Sequence, residues 1–300
     1  MRAPGVLLDG RSLERLERLT IRWNRSFQGL LGGNNVSRYA GVGHEFLDHR
    51  HFHRGDDLRA VNWRAYMRLE RLFVKMFRTE PRTPVRILID TSESMACGET
   101  VTGEPKFAYA CRLAAALCYI GLVRLETTIL QPFANGLAEE FRSQGGRQRY
   151  ALAARFLSAL ETSGPSDFER SIRDYLTKYL SPGLTFVISD FMEESGDELP
   201  LRYLATAGHE VQLIHLAGPA DREPPWRGEL ELYDAESDNL LRVSVDDAAA
   251  ADYRQAYDDF CDALESQARR ANSRYSHIST ALPLQEVLFS SLPATGVVSL

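Results

Sequence analysis

The sequence predicts an α/β fold with a mainly parallel, doubly wound sheet and helices on both faces. Two short apolar runs, residues 85–90 and 184–190, each end abruptly in an aspartate. Such runs are typical of buried parallel strands that open into polar loops. Segments with apolar residues at helical spacing alternate with the strand-like runs along the chain. This alternation implies right-handed crossovers and therefore a parallel sheet.

The other elements follow in order from the same patterns. Apolar spacing predicts helices over 107–123, 150–160, 168–180, 201–207 and 249–272, and a short one within 283–292. Buried runs predict strands over 126–133, 185–189, 211–216 and 275–278, with a short edge strand within 136–141. Alternation on both sides of Asp238 and Asn239 predicts a β-hairpin insertion near 227–246.

Charge divides the chain into two predicted parts. Residues 1–82 carry 16 Lys and Arg against 9 Asp and Glu, although the whole chain has a net charge of -6. We therefore expect a basic N-terminal region over 1–82 and an α/β domain over 83–300. Leu13, Leu16, Leu19 and Trp23 predict an amphipathic helix in the basic region, and the glycine-rich stretch 29–35 predicts a flexible break.

Composition limits the class of protein. A chain of 300 residues with 44% hydrophobic content can bury a sizeable core. It has no run of eighteen apolar residues and no signal-peptide pattern, so we expect a soluble, cytoplasmic protein without a transmembrane segment. The four cysteines lack disulfide or zinc spacing, and Cys111 and Cys118 are expected to pack as small apolar residues.

Three polar residues follow the first strand at alternate positions: Asp90, Ser92 and Ser94. Their side chains can converge on one point, and they offer the hard oxygen ligands that Mg²⁺ or Mn²⁺ prefers. The pattern alone is weak, because serine and aspartate are also favoured helix caps. Asp190 at the end of a second predicted strand adds another carboxylate at the same sheet edge.

These residues resemble the metal-ion-dependent adhesion site of the von Willebrand factor A (vWA) fold. That site uses Asp-x-Ser-x-Ser, a Thr from a later loop and an Asp that ends a further strand. Asp90, Ser92, Ser94 and Asp190 match it, and Ser166 best meets the Thr position, with Thr162 as the nearby alternative. The resemblance implies that the bound ion keeps one position open for an acidic side chain of another protein.

A second group of residues resembles the signature of domain-of-unknown-function family 58 (DUF58). The matching positions are Glu45, Phe46, Arg50, Gly55, Asp56, Asp57, Arg59, Asn62 and Trp63. Phe52 and Arg54 stand where the family usually has Tyr and Pro. The resemblance covers roughly residues 10–290. It implies a non-enzymatic adaptor that works with a MoxR-type AAA+ ATPase, or its client, in maturing or assembling other protein complexes.

The residues give less support to catalysis, zinc binding or nucleic-acid binding. A metal-dependent phosphoester hydrolase could use Asp90, but haloacid-dehalogenase-like hydrolases have a second Asp where this chain has Ser92. No nucleotide-binding glycine loop and no histidine at the mapped site support catalysis.

The alternating His49, His51 and His53 could mimic a zinc triad, although a role as ordinary surface histidines is the simpler interpretation. Nucleic-acid binding by the basic region is disfavoured by the acidic remainder.

Overall fold

The structure is a computed structural model that describes residues 7–21, 45–53, 61–78, 84–97, 105–124, 126–193, 200–233, 240–296 and 298–299. The side chains of 45–49 and 75–78 are outside this description. So are the predicted glycine-rich break at 29–35, Trp23, and the signature residues Gly55, Asp56, Asp57 and Arg59. The described residues form two compact units, one from 7–21 with 84–299 and one between 45 and 78.

The strands are numbered in chain order. They are β1 Thr20–Ile21, β2 Glu45–His51, β3 Phe73–Arg78, β4 Val85–Asp90, β5 Thr127–Ala134, β6 Gly136–Leu137, β7 Phe141–Gln144, β8 Leu184–Ser189, β9 Glu210–Ala217, β10 Gly228–Tyr233, β11 Leu240–Val245, β12 Arg274–Ser279 and β13 Val298–Ser299.

The α-helices are numbered in the same way. They are α1 Gly10–Leu16, α2 Trp63–Leu69, α3 Lys106–Val123, α4 Tyr150–Ser158, α5 Phe168–Lys178, α6 Leu201–Thr206, α7 Pro219–Arg222, α8 Asp247–Arg270, α9 Leu284–Glu286 and α10 Leu292–Ala294. Two 3₁₀ turns, Glu93–Ala96 and Arg147–Arg149, and one π-helical stretch, Val287–Ser291, complete the regular structure of the described residues.

The central sheet confirms the predicted doubly wound, vWA-like α/β fold. Its strands lie in the order β12, β9, β8, β4, β5, and all neighbours in this order are parallel. The short strands β6 and β7 both pair with β5 in the antiparallel direction and finish that edge. Strand order reverses direction at β4, which places the carboxyl ends of β4 and β8 at a topological switch point.

Successive side chains of the central strands enter two hydrophobic cores on opposite faces. Ile87 and Ile89 pack with α3, α4 and the C-terminal helical turns. Leu88, between them, faces the other way and packs with residues of α5, α6 and α8. Because a strand buried on both faces favours apolar residues at every position, the run before Asp90 is apolar apart from the buried Arg86.

Helix α3 is long and apolar enough to cross a membrane by length and composition, but 78% of it is buried within the unit. It packs against four strands of the sheet. Cys111 and Cys118 lie in it as buried small residues, as predicted, and burial raises the pKa of each thiol to about 12. The helix therefore serves as a core element of the sheet unit.

The first described residues belong to the sheet unit and so differ from the predicted division at residue 82. Leu16 and Leu19 are fully buried with the α3 core. Strand β1 pairs with β13, so both ends of the unit meet. The predicted amphipathic helix is wrong in its extent, because α1 ends at Leu16 and Thr20–Ile21 form β1. Its apolar side chains still account for this placement, because they need a core to cover them.

The smaller unit contains the antiparallel pair β2 and β3 with helix α2. The hairpin strands β10 and β11 pair antiparallel within the sheet unit, with Gly228 opposite Val245. The predicted hairpin turn at Asp238 and Asn239 lies outside the described residues. Helix α8 follows the hairpin and covers the face of the sheet that carries Leu88.

Candidate metal centre

The two strand-ending aspartates meet at the carboxyl edge of the sheet. Strands β4 and β8 are parallel neighbours in which Ile89 pairs with Ile188, so Asp90 and Asp190 leave the sheet side by side. The Oδ1 atom of Asp90 accepts a hydrogen bond from the Ser92 backbone at 2.9 Å. Asp190 makes the same kind of turn, because its Oδ1 atom accepts a hydrogen bond from the Met192 backbone N–H at 3.2 Å. Each carboxylate is thereby fixed by its own loop.

Both serines of the predicted motif join these carboxylates. The Oγ atoms of Ser92 and Ser94 lie 3.0 Å apart, and the Ser94 hydroxyl donates to Asp190 Oδ1 at 3.4 Å. Asp90, Ser92 and Asp190 are buried, whereas Ser94 is half-buried. The structure thus brings four of the predicted residues into one cluster, with Ser94 toward the surface.

Ser189 supports the cluster and was not predicted as part of it. Its hydroxyl donates to Asp90 Oδ2 at 2.5 Å and accepts a hydrogen bond from the Phe191 backbone at 2.8 Å. Phe191 has a φ of 54°, which is unusual for a bulky residue. Its buried ring packs edge-on against Phe168, and this packing holds the strained turn after Asp190.

The fifth predicted ligand position lies on the loop between α4 and α5. This loop is tied to the Asp90 loop by backbone hydrogen bonds, from Ser163 to the Thr91 carbonyl at 2.8 Å and from Glu93 to the Gly164 carbonyl at 3.0 Å. Ser166 and Thr162 are both half-buried on it. The loop therefore runs beside the cluster, and the choice between Ser166 and Thr162 stays a prediction.

A lysine that the sequence patterns did not indicate completes the cluster. The Nζ atom of Lys106, at the start of α3, lies 2.8 Å from Asp190 Oδ2 and 3.1 Å from Asp221 Oδ2. Burial alone would lower the pKa of Lys106, but the charges of Asp190 and Asp221 outweigh it and raise the pKa. Lys106 therefore remains an ammonium ion and neutralises part of the buried negative charge.

The carboxyl group of Asp90 is difficult to ionise in this cluster. Burial and the nearby charge of Asp190 raise its pKa from 3.8 to about 7, although hydrogen bonds from Ser189 and Ser92 act in the opposite direction. Ionising a carboxyl group in this environment costs free energy. A divalent cation would remove that cost.

The donor set fits a hard divalent cation. Two carboxylates and two hydroxyls are the oxygen ligands that Mg²⁺ and Mn²⁺ take. Adjacent ligands in an octahedral magnesium shell are roughly 3 Å apart, and the two serine hydroxyls have a separation of 3.0 Å. Lys106 contacts Oδ2 of Asp190, while Ser94 contacts Oδ1, so the ammonium and the serines use different oxygens.

The described signature residues lie in the smaller unit. Asn62 caps α2, where its side chain accepts a hydrogen bond from the Ala65 backbone at 3.3 Å. Arg50 donates to the His51 carbonyl at 3.2 Å and lies 3.1 Å from His53 Nδ1. Trp63 is 54% exposed. Within the described residues, these contacts shape the local fold of the unit.

Comparison with known proteins gives one family match. The model of a family described as "Protein of unknown function DUF58" matches residues 48–267. The uncharacterized protein Rv1480 of Mycobacterium tuberculosis is 27% identical over 260 residues, which cover 84% of this chain and 80% of that protein. The family match runs from β2 to α8 and so includes residues of both units.

Solved structures with a related fold include BatB from Bacteroides thetaiotaomicron. It is 14% identical, with a TM-score of 0.44, and the match covers 71% of this chain and 98% of that chain. The VWA domain of SpRpn10 is 13% identical, with a TM-score of 0.36, and the match covers 67% of this chain and 90% of that chain.

Proposed function

This chain belongs to the DUF58 family, and we propose that it is a non-enzymatic adaptor that docks a partner protein through a divalent cation. Mg²⁺ or Mn²⁺ would be held by Asp90, Ser92, Ser94 and Asp190, with Ser166 as the fifth ligand. The cation would supply a Lewis-acidic position for a carboxylate of the partner. A protein-interaction role agrees with a vWA-like fold in a DUF58 protein.

The observation that carries the proposal is the convergence of oxygen donors from separate loops. Ser92 and Ser94 are 3.0 Å apart, and Ser94 reaches Asp190 from a different strand end. Ser94 is half-buried, so a ligand can approach from its side, whereas the other three residues are buried. A site open on one side suits docking of an external group.

The partner would present an Asp or Glu side chain at its contact surface. A carboxylate is the hard anionic ligand that completes the shell of Mg²⁺. The resemblance to DUF58 adaptors makes a MoxR-type AAA+ ATPase, or its client, the first partner to test. We place this interaction in the cytoplasm.

The hydrolase alternative has less support. Asp90 is 1% exposed, and its two oxygens accept hydrogen bonds from Ser92 and Ser189. A nucleophile needs access to the substrate. These contacts suit a residue that positions a loop and a cation.

The test is a binding assay between this chain and a purified MoxR-type ATPase from the same genome. The chain is immobilised in Mg²⁺ or in EDTA, as wild type, Asp90→Asn or Ser94→Ala. We expect capture by the wild type in Mg²⁺ and at least a tenfold loss, about 1.4 kcal/mol, in EDTA or in either variant.

The matched control is Asp252→Asn, which removes one exposed carboxylate from α8, outside the cluster. It should capture the ATPase as the wild type does, in Mg²⁺. Equal capture by Asp90→Asn and wild type would contradict the cation-dependent mechanism. Hydrolysis of a generic phosphoester that disappears in Asp90→Asn would contradict the non-enzymatic role.

A further inference from the structure

A row of polar side chains crosses the sheet next to the cluster around Asp90. In the parallel register, Ser189 of β8 pairs with His215 of β9, and His215 pairs with His277 of β12. Helix α8 lies over this face and contributes Cys261. The ligand atoms of His215, Cys261 and His277 all lie within 4.8 Å of one another.

His215 is the buried member of this group. Its Nδ1 atom lies 2.7 Å from the hydroxyl of Tyr275. Its Nε2 atom is buried and has no hydrogen-bond partner among the described residues. A buried nitrogen without a partner is costly, and a metal ion would supply that partner.

The bond to Tyr275 favours one orientation of the His215 imidazole. When the tyrosine hydroxyl accepts the Nδ1 proton, Nε2 carries the free lone pair. Histidines that bind metal ions almost always donate their other ring N–H to such a partner. Burial, with the nearby charges of His277 and Lys106, lowers the pKa of His215 to about 3, so the imidazole is neutral. It is thus in the form that coordinates a metal ion.

The surroundings of the other two residues agree with a metal site. Cys261 is half-buried, and burial raises the pKa of its thiol, so the thiol proton is released when a metal ion binds. His277 is exposed, and its ring centroid lies 4.8 Å from that of His215. Both side chains therefore border solvent, from which an ion can enter.

We infer that His215, Cys261 and His277 form a second cation site, chemically distinct from the oxygen cluster, which binds Zn²⁺ or a similar borderline-soft divalent ion. Two imidazoles and one thiolate are typical zinc ligands. Ligands around tetrahedral zinc are roughly 3.3–3.7 Å apart. The partly exposed Cys261 and His277 would close on His215 by about 1 Å, and one coordination position remains for water or an incoming group.

Cobalt titration of the full chain tests this site. The protein is stripped with a chelator, and Co²⁺ is added while the thiolate-to-cobalt absorption and the ligand-field bands are recorded. We expect one equivalent of Co²⁺ to produce both signals and one equivalent of Zn²⁺ to displace it. Cys261→Ser should lose the thiolate band, and His277→Gln should weaken binding by at least about tenfold.

Two control variants show whether the cobalt signal comes from these three residues. Cys97→Ser removes an exposed thiol elsewhere and should leave the cobalt spectrum unchanged. Asp90→Asn alters the oxygen cluster and should also leave it unchanged. Circular dichroism confirms that each variant is folded. The inference is overturned if the wild type gives no thiolate band, or if the band survives in Cys261→Ser.

Discussion

The ammonium of Lys106 lies 2.8 Å from the carboxylate of Asp190, and both residues are almost completely buried. Lys106 is the first residue of α3, and Asp190 follows β8, so the contact joins two elements that are distant in the chain. Lys106 also contacts Asp221 of α7. The buried ammonium of Lys106 therefore pairs with two carboxylates at the edge of the sheet without any metal ion.

Removal of this charge should be strongly destabilising. Lys106→Met leaves the buried Asp190 and the half-buried Asp221 without their ammonium partner, and breaking a buried pair in this way costs about 3–5 kcal/mol. Urea unfolding in EDTA measures the loss. Lys178→Met is the control, because its ion pair with Glu140 is partly exposed and is worth at most about 1 kcal/mol. Equal stability of Lys106→Met and wild type would contradict the role given to Lys106.

The ionisation of Asp90 should make stability depend on pH when no divalent cation is present. Because its pKa in the folded state, about 7, lies above the ordinary 3.8, the folded protein holds this proton more tightly than the unfolded chain. The stabilisation of the folded state that comes from protonated Asp90 is fully present at acid pH. It is lost as pH rises from about 4 to 7. The loss is on the order of 4 kcal/mol.

Asp90→Asn removes this titration and keeps an acceptor for the Ser92 backbone. In EDTA at about pH 8, the variant should therefore unfold at a higher urea concentration than the wild type. Near pH 4, the two should have similar stability. The lowered pKa values of His209 and His215 make stability rise with pH. This trend is the same in the wild type and in Asp90→Asn, so it does not affect the comparison. Parallel pH profiles for the two proteins would refute the assignment.

The third-loop ligand can be identified by two substitutions on the loop between α4 and α5. If Ser166 binds the cation, Ser166→Ala should weaken Mg²⁺ binding by at least about tenfold, whereas Thr162→Val should leave it unchanged. Isothermal titration calorimetry with Mg²⁺ measures both. The reverse result would assign the position to Thr162.

Gly183 should not tolerate a side chain, because it lies against the buried Arg86. A Cβ atom there would contact the Arg86 guanidinium and lie 2.8 Å from the Pro84 carbonyl oxygen. The Arg86 guanidinium is held in place by a hydrogen bond of 2.9 Å that it donates to the Ser181 carbonyl. Gly183→Ala should cost about 1–3 kcal/mol in urea unfolding. Gly10→Ala, with open space around the added methyl, should change stability by less than about 0.5 kcal/mol.

Local sequence patterns were sufficient for the sheet and for part of the cluster. The strand ending in Asp90 is apolar at nearly every position because both of its faces are buried, and this property is readable without a structure. Ser92 and Ser94 follow Asp90 within four residues, so their proximity to it can be predicted from the local sequence. Asp190 was predictable because parallel strands end at the same edge.

Contacts that depend on distant elements could not be predicted in this way. Lys106 precedes an apolar helix whose pattern gave a start at residue 107, and nothing local indicates that its charge turns inward to Asp190. His215 and His277 are 62 positions apart and meet only through strand pairing. The sequence instead drew attention to the alternating histidines 49, 51 and 53, and the side chain of His49 lies outside the described residues, so that triad stays a prediction.

The N-terminal segment has a practical consequence for work with isolated parts of this protein. Helix α1 and strand β1 lie against α3, where the Tyr119 hydroxyl donates to Glu17 and Arg124 donates to the Leu19 carbonyl. A recombinant version that begins just before β4 would uncover one side of a helix whose composition suits lipid. Such a truncated protein should aggregate or enter detergent micelles during purification, and a fused residue 7–21 segment should restore its solubility.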